Sequence, residues 1–154
     1  MAVFMDPMTG EVLSMASRPN LEQTTREGVR KIHPISDRYE PGSTFKIVTI
    51  AAAIDQGLVN RSTVFFCHNG RYQEPGVRLS DSGYYADLTV EGIMKKSSNI
   101  GTYLIAKQLG SQRLYDYVKD FGFGTKTGVA LTSEASGQVA RPGSKWWSKT
   151  SLSR

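Results

Sequence analysis

The sequence contains few of the residues from which metal and cofactor sites are built. Its 154 residues include one cysteine, Cys67, and two histidines, His33 and His68. A single cysteine cannot form an internal disulfide or a metal cluster, and two distant histidines do not make a metal site. His33 precedes Pro34 and is expected in a loop, whereas His68 precedes Asn-Gly and is expected in a turn. We therefore expect neither a metal ion nor a cofactor.

Long apolar runs and blocks of like charge are also missing. No stretch is long enough to span a bilayer, and no signal peptide precedes the first turn. The net charge of +5 is spread along the chain, without the basic stripe and interleaved aromatic residues that favour nucleic-acid binding. With 39% hydrophobic and 21% charged residues, the composition is typical of one globular domain with a core.

The chain is organised around Tyr-Glu-Pro-Gly-Ser-Thr-Phe-Lys at residues 39–46, which an apolar run at residues 47–54 follows. The Pro-Gly turn brings Ser43 to the start of a predicted helix over residues 43–56. Gly57 is a favourable residue just after a helix end. The helix is apolar almost all the way round, which is typical of a helix in the middle of a domain.

Ser43 and Lys46 are three residues apart, so they share one face of the first helical turn. A serine hydroxyl is a weak nucleophile until a base takes its proton, and a lysine can act as that base only as the neutral amine. Burial would lower the pKa of Lys46, and the helix N-terminus would supply N–H groups that stabilise an oxyanion. Serine is also a common helix cap. The pair indicates acyl transfer without excluding a structural role.

A second motif, Ser-Ser-Asn at residues 97–99, separates two predicted helices over residues 90–96 and 100–109. A loop at this point can turn both outer side chains toward a cleft. Ser97 can relay a proton to the leaving nitrogen of an attacked amide, and Asn99 offers a donor and an acceptor to a substrate amide. Serine and asparagine are also common residues where helices break.

Shorter elements are predicted on either side of this helical part. Two strands over residues 2–5 and 11–15 are expected to form a hairpin. Ser111 is expected to cap a further helix, in which four residues follow the spacing of a buried face: Leu114, Tyr117, Val118 and Phe121. Residues 17–42 are interpreted as a long surface loop, and residues 58–87 as a loop with short extended pieces. The remainder, residues 125–154, is rich in Gly, Ser and Lys.

Residues 39–46 and 96–101 closely resemble motifs of the penicillin-binding transpeptidases. The hairpin at residues 6–16 and the segment from residues 121–128 through 134–137 are similar to the same family, in the same order. Within the family, the Ser-x-Asn motif together with this segment most resembles the class B, cell-division (septal) enzymes. The resemblance implies an α+β fold of the β-lactamase/transpeptidase type. This chain would hold the N-terminal hairpin and the helical half, with most of the antiparallel sheet missing.

On this resemblance, residues 1–154 are part of a penicillin-binding transpeptidase domain that cross-links peptidoglycan. Ser43 would attack the D-Ala-D-Ala bond of a stem peptide, release D-alanine and pass the acyl group to an amine on a neighbouring strand. Lys46 would be the base, Ser97 the proton relay and Asn99 the residue that binds the substrate amide. β-Lactams would acylate Ser43, and cell-division proteins would be further partners. The site would lie at the extracytoplasmic face of the membrane or in the periplasm, with the anchor outside this chain.

One match to the family is interpreted as misleading. Lys-Thr-Gly at residues 126–128 has the letters of the family's third motif, yet only one helix separates it from Asn99 and no strand-forming run leads into it. We therefore predict that the functional copy lies outside this chain. As a fragment, the chain would be inactive or weakly active, and the central helix, Trp146 and Trp147 would expose apolar surface.

Two other functions remain open. A serine β-lactamase-like hydrolase resembles this chain in both motifs, and Glu134 is a candidate activator of water in such an enzyme, although its neighbours resemble transpeptidases. A stable acyl group on Ser43 would favour the transpeptidase, and its rapid loss would favour the lactamase. The other alternative is a non-catalytic β-lactam-sensing or interaction module. A pure interaction module would take up no penicillin.

Overall fold

The computed structural model describes residues 1–18 and 32–145 of the chain. The chain divides into two compact units, each made of two segments. The first unit consists of Met1–Tyr39 and Gly124–Gly137, and the second of Glu40–Phe123 and Gln138–Arg154.

The first unit contains an antiparallel hairpin of β1 (Ala2–Met5) and β2 (Val12–Ala16). Its connecting loop is held by Asp6, whose backbone oxygen accepts a hydrogen bond from the Gly10 N–H and whose carboxylate accepts one from the Met8 N–H, both at 2.8 Å. The predicted hairpin is confirmed, with the second strand beginning one residue later than expected.

A four-residue helix, α1 (His33–Ser36), lies where the sequence predicted a loop, so the assignment of His33 to a loop is wrong. Pro34 fits the first helical turn because the N–H that it lacks would have no partner inside the helix there. The His33 Nδ1 atom lies 2.8 Å from Asp37 Oδ2, one turn later. Residues 19–31 of the same predicted loop lie outside the described residues.

The second unit is built around α2 (Lys46–Asp55). A 3₁₀ turn (Gly42–Phe45) precedes this helix, so the regular α-helix begins three residues later than predicted. Gly42 has a φ of 60°, a left-handed conformation that glycine adopts without a steric cost. Gly57, with a φ of 65°, lies just beyond the helix end, as predicted.

Three further helices complete the helical part of this unit: α3 (Val90–Lys96), α4 (Asn99–Leu109) and α5 (Ser111–Asp120). The predicted cap at Ser111 is wrong, because Gly110 occupies the cap position and Ser111 is the first helical residue. Leu114 and Val118 are buried as predicted. Phe121 is 50% exposed, since α5 ends one residue before it, and it does not belong to the buried face.

The core of the second unit lies where α2 packs against α4 and α5. At one end the rings of Phe45 and Phe123 meet edge to face, with centroids 5.3 Å apart. Ile47 and Ile54 stay about half exposed, so α2 is partly uncovered as predicted. Trp146 and Trp147 lie outside the described residues. The largest fully buried apolar side chains are Tyr103, Ile93, Ile100, Ile105, Leu114 and Val90.

The short extended pieces predicted between α2 and α3 are present as two antiparallel pairs. β3 (Val64–Phe66) pairs with β6 (Asp87–Thr89), and β4 (Arg71–Glu74) pairs with β5 (Val77–Ser80). His68 lies in a 3₁₀ turn between them, as the sequence predicted. In the described residues all strands belong to two-stranded sheets, which agrees with the predicted α+β fold in which most of the antiparallel sheet is missing. None of the described helices has the length and apolarity needed to cross a bilayer.

Candidate active site

Lys46 is the first residue of α2 and is only 2% exposed. Its amine Nζ donates hydrogen bonds to the Ser97 carbonyl oxygen at 2.5 Å, to the Ser97 hydroxyl at 3.0 Å and to the Asn99 side-chain oxygen at 2.7 Å. The fold therefore brings three of the four sequence-predicted site residues together, although more than 50 residues separate the two motifs along the chain.

Burial lowers the pKa of the Lys46 amine from its ordinary value of 10.5, and the negative charge of Asp81 acts in the opposite direction. All three oxygens that accept from the amine are neutral, so among the described residues no carboxylate is hydrogen-bonded to it. Because desolvation disfavours the charged form and the acceptors carry no charge, the neutral amine that a base requires forms more readily here than in an ordinary lysine.

Ser43 lies in the 3₁₀ turn that leads into α2, and its side chain is exposed. Its backbone oxygen accepts a hydrogen bond from the Lys46 N–H, so the two residues belong to one continuous turn. Among the described residues, no hydrogen bond joins the Ser43 hydroxyl to Lys46. The neighbouring Thr44 hydroxyl instead donates to the Pro41 carbonyl at 2.6 Å. The arrangement is an exposed hydroxyl on a turn that continues into a buried amine.

Ser97 terminates α3 in a left-handed conformation, with φ 53° and ψ 41°. A residue other than glycine pays about 1–3 kcal/mol for such a backbone, so the surrounding structure must hold it there. This conformation lets the carbonyl oxygen and the hydroxyl of one residue reach the same amine, Lys46. The predicted interruption between two helices is confirmed, and it is sharper than a simple loop.

Asn99 is held from two sides. Its side-chain oxygen accepts from Lys46, and its side-chain nitrogen donates to the Ser80 carbonyl oxygen at 2.9 Å, at the end of β5. These two contacts fix which side of the amide is oxygen and which is nitrogen. One N–H of that amide group is not used by either contact.

The sequence did not point to Asp81 as part of this region. Its carboxylate accepts hydrogen bonds from the Asn99 N–H at 2.6 Å, from the Ile100 N–H at 3.1 Å and from the Ser98 hydroxyl at 2.6 Å. In sequence it belongs to a turn-rich Asp-Ser-Gly segment and has no motif of its own. It directly follows β5, and the packing of β5 against α4 brings it to the start of α4.

The Lys-Thr-Gly segment at residues 126–128 belongs to the first unit and lies in no strand. Glu134 accepts hydrogen bonds from the Thr127 N–H and hydroxyl at 2.6 Å each, and from the Gly128 N–H at 3.2 Å. These bonds lower the pKa of Glu134, with Thr127 contributing most. Glu134 therefore organises its own loop, and the interpretation of the segment as a misleading match stays a prediction.

The described residues contain no cluster of three or more side chains able to hold a metal ion.

A family model, the penicillin binding protein transpeptidase domain, matches residues 1–153, and the chain belongs to this family. This confirms the family and the fold class predicted from the motifs. The relatives that it matches are penicillin-binding proteins of class B.

Curated relatives match over most of this chain but over a small part of their own length. Stage V sporulation protein D of Bacillus subtilis (strain 168) is 38% identical over 88% of this chain and 22% of its own. Peptidoglycan D,D-transpeptidase FtsI of Escherichia coli (strain K12) is 37% identical over 88% of this chain and 24% of its own. The chain thus spans about a quarter of the length of these relatives.

Solved structures show the same fold. A peptidoglycan glycosyltransferase from Burkholderia ambifaria superposes with a TM-score of 0.82 at 28% identity, covering 98% of this chain and 44% of that one. The TP domain of Burkholderia pseudomallei penicillin-binding protein 3 gives a TM-score of 0.72 at 30% identity, covering 79% of this chain and 36% of that one.

Proposed function

We propose that this chain carries the acylation machinery of a peptidoglycan D,D-transpeptidase, with Ser43 as the nucleophile and Lys46 as its base. The observation that carries the proposal is the buried Lys46 amine, whose pKa burial lowers and whose partners are Ser97 and Asn99. A lysine buried without a hydrogen-bonded carboxylate is costly for stability, and such perturbed groups concentrate at functional sites.

In the proposed reaction, the Ser43 oxygen attacks the carbonyl carbon of the D-Ala-D-Ala amide, and the neutral Lys46 amine takes the hydroxyl proton. A carbon–oxygen bond forms, and the carbon–nitrogen bond of the amide then breaks. The departing D-alanine nitrogen receives that proton through the Ser97 hydroxyl. An acceptor amine next attacks the Ser43 ester, gives up a proton to the same relay, and releases the cross-linked product with Ser43 restored.

The contacts of the amine suit a group that changes its protonation state. Three acceptors surround Lys46 Nζ, which matches the three N–H donors of the ammonium form. The neutral amine has two donors and one lone pair. Because a hydroxyl is both donor and acceptor, the Ser97 contact at 3.0 Å can reverse direction when the amine loses its proton. This reversibility supports Ser97 as the relay.

Asn99 is proposed to bind the substrate amide. Its oxygen is committed to Lys46 and one N–H to Ser80, so the second N–H is the group that would donate to a substrate carbonyl. Orientation of the substrate carbonyl next to the nucleophile is one of the larger sources of rate enhancement in enzymes.

Substrates and setting follow from the same family likeness. We propose stem peptides ending in D-Ala-D-Ala as substrates and β-lactams as acylating inhibitors, because their ring amide imitates the scissile bond. Proteins of the cell-division machinery are proposed partners, and the extracytoplasmic side of the membrane is the proposed location. The names of the relatives, which include a peptidoglycan D,D-transpeptidase, support this assignment.

Mass spectrometry of the full-length protein after treatment with benzylpenicillin tests the proposal. We expect a covalent adduct on the peptide that contains Ser43, no adduct in Ser43→Ala, and a normal adduct in Thr44→Ala, the matched hydroxyl on the same turn. A stable adduct on Ser43 supports the transpeptidase, whereas an adduct that is rapidly lost by hydrolysis indicates a hydrolase. A folded protein that takes up no penicillin would contradict the proposal.

A further inference from the structure

The Asp81 carboxylate lies at the N-terminus of α4, where it accepts hydrogen bonds from residues of the Ser-Ser-Asn motif and from the residue that follows it. One oxygen accepts from the Asn99 and Ile100 N–H groups, and the other accepts from the Ser98 hydroxyl. A carboxylate at a helix N-terminus interacts favourably with the free N–H groups and with the helix dipole, and bonds to a charged acceptor are the stronger kind.

Ser98 is fully buried, and both its hydroxyl and its carbonyl group form hydrogen bonds within the protein. Its hydroxyl donates to Asp81 at 2.6 Å and accepts from the Gly101 N–H at 2.9 Å. Its carbonyl oxygen accepts from the Thr102 hydroxyl at 2.8 Å. The middle residue of the motif therefore faces Asp81 and α4, whereas the outer residues, Ser97 and Asn99, face Lys46.

We propose that Asp81 is a positioning residue for acylation, holding the Ser97–Asn99 turn so that both outer side chains reach Lys46. The proposal rests on the function proposed above. The chain at the end of β5 holds Asn99 twice, through Asp81 on its backbone N–H and through the Ser80 oxygen on its side chain.

The strained backbone of Ser97 explains why such a hold is needed. Its left-handed conformation is unfavourable by itself, and two of the three contacts of the Lys46 amine depend on it. If the start of α4 were free to fray, Ser97 could return to a relaxed conformation and both contacts would be lost. Asp81 prevents this by binding the hydroxyl of Ser98, the next residue, and the N–H groups of Asn99 and Ile100.

Asp81 also acts on the amine through its charge, without a direct hydrogen bond to it in the described residues. Its negative charge raises the pKa of Lys46, against the stronger effect of burial. The other groups that meet the amine, the oxygens of Ser97 and Asn99, are uncharged. Removing the charge of Asp81 should therefore lower the pKa of Lys46 further.

The test measures the rate of Ser43 acylation by benzylpenicillin against pH in the full-length protein, in Asp81→Asn and in Asp81→Ala. Asp81→Ala removes both carboxylate oxygens that accept hydrogen bonds. We expect its acylation rate to be about 10–100-fold lower than that of the wild type, the size of effect that a misplaced catalytic group causes. Asp81→Asn keeps one acceptor oxygen, so we expect a smaller loss. Acylation requires the neutral Lys46 amine, and both variants remove the charge of Asp81. The acid limb of the pH profile of the acylation rate should therefore move to lower pH in both.

Asp87→Asn, which removes an exposed carboxylate on β6, is the matched control and should change neither rate nor profile. Rates are compared at temperatures where circular dichroism shows each variant to be folded. If folded Asp81→Ala and Asp81→Asn acylate as fast as the wild type with an unshifted profile, Asp81 is not a positioning residue. Failure of the wild type itself to acylate at Ser43 would instead overturn the proposed function.

Discussion

Two lysines of the second unit show how surroundings decide the chemistry of an amine. Lys46 is buried, its hydrogen-bond acceptors in the described part of the chain are all neutral oxygens, and its pKa is lowered. Lys107, near the end of α4, is half exposed and donates to the Glu74 carboxylate at 2.6 Å, and that hydrogen bond raises its pKa. Water and a carboxylate keep Lys107 a structural cation, whereas their removal makes Lys46 a candidate base.

The two lysines lie at opposite ends of α4. Lys46 contacts its first residue, and Lys107 belongs to its last turn. Asn99, Tyr103 and Lys107 follow each other at intervals of four residues on α4, so they share a face. Asn99 contacts Lys46, whereas Tyr103 and Lys107 bind Glu74 on β4. This face of α4 therefore has a reactive end, where Asn99 contacts Lys46, and a stable end, where Tyr103 and Lys107 bind Glu74.

The largest effect is expected from removing the amine itself. Lys46→Met should lower the rate of Ser43 acylation by about 10²–10⁴-fold, the usual contribution of a general base. The matched variant Lys107→Met should acylate at the wild-type rate, because Lys107 contacts Glu74 and takes no part in the site. Stopped-flow measurements with a chromogenic β-lactam compare the two. Equal losses in both variants would mean that the difference between the lysines is not functional.

The reactive end of α4 also depends on close packing. A Cβ added at Gly101 would lie 2.5 Å from the Ile93 side chain, which is fully buried on α3. Gly101→Ala should therefore lower the free energy of unfolding by about 1–3 kcal/mol, measured by urea denaturation.

Gly92→Ala provides the control for helix propensity, since its Cβ would meet neighbours only at 3.3 Å and beyond. It should change the unfolding free energy little, in either direction. A Gly101→Ala variant as stable as Gly92→Ala would show that α3 and α4 are not packed as described.

At the stable end, the buried Tyr103 hydroxyl donates to Glu74. Tyr103→Phe should lower the unfolding free energy by about 1–2 kcal/mol, because Glu74 loses a partner next to the core. Tyr84, which is 79% exposed, provides the matched control, and Tyr84→Phe should have no measurable effect. The acylation rate should stay normal in both variants. A slow rate in Tyr103→Phe would show that the two ends of α4 are coupled.

The smallest effect concerns acid stability. Hydrogen bonds, first from Lys107 and then from Tyr103 and Tyr72, lower the pKa of Glu74 from 4.5 to about 2. Since the unfolded chain binds the proton more readily, this stabilisation is complete above pH 4.5 and is lost as the pH falls toward 2. Glu74→Gln should therefore show a shallower fall in unfolding free energy over that window, measured by urea denaturation at several pH values. An unchanged slope would contradict the prediction.

The sequence was sufficient for some of these features and insufficient for others, for physical reasons. Ser43 and Lys46 are local, so helical spacing alone predicts their shared turn. Ser97 and Asn99 were singled out by their place between two predicted helices and by the family motif, but neither pattern gives their contacts with Lys46, which span more than 50 residues. Asp81 could not be found, since its role depends on how β5 meets α4, and no local pattern encodes that pairing.

The predicted helix boundaries were wrong where backbone geometry outweighed the preference of a residue. Ser111 is a good capping residue, yet Gly110 takes the cap because the chain turns there with a φ of 87°. His33 precedes a proline, which usually indicates extended chain, but Pro34 falls within a first turn that tolerates it.

Burial among neutral oxygens makes the Lys46 amine hold its proton less tightly than an ordinary lysine does. NMR titration of side-chain ¹³Cε and ¹⁵Nζ signals, assigned through the Lys46→Arg and Lys107→Arg variants, measures both pKa values in one folded protein. We expect a Lys46 pKa below 10.5 and a Lys107 pKa above it. A Lys46 pKa at or above 10.5, or equal to that of Lys107, would contradict it.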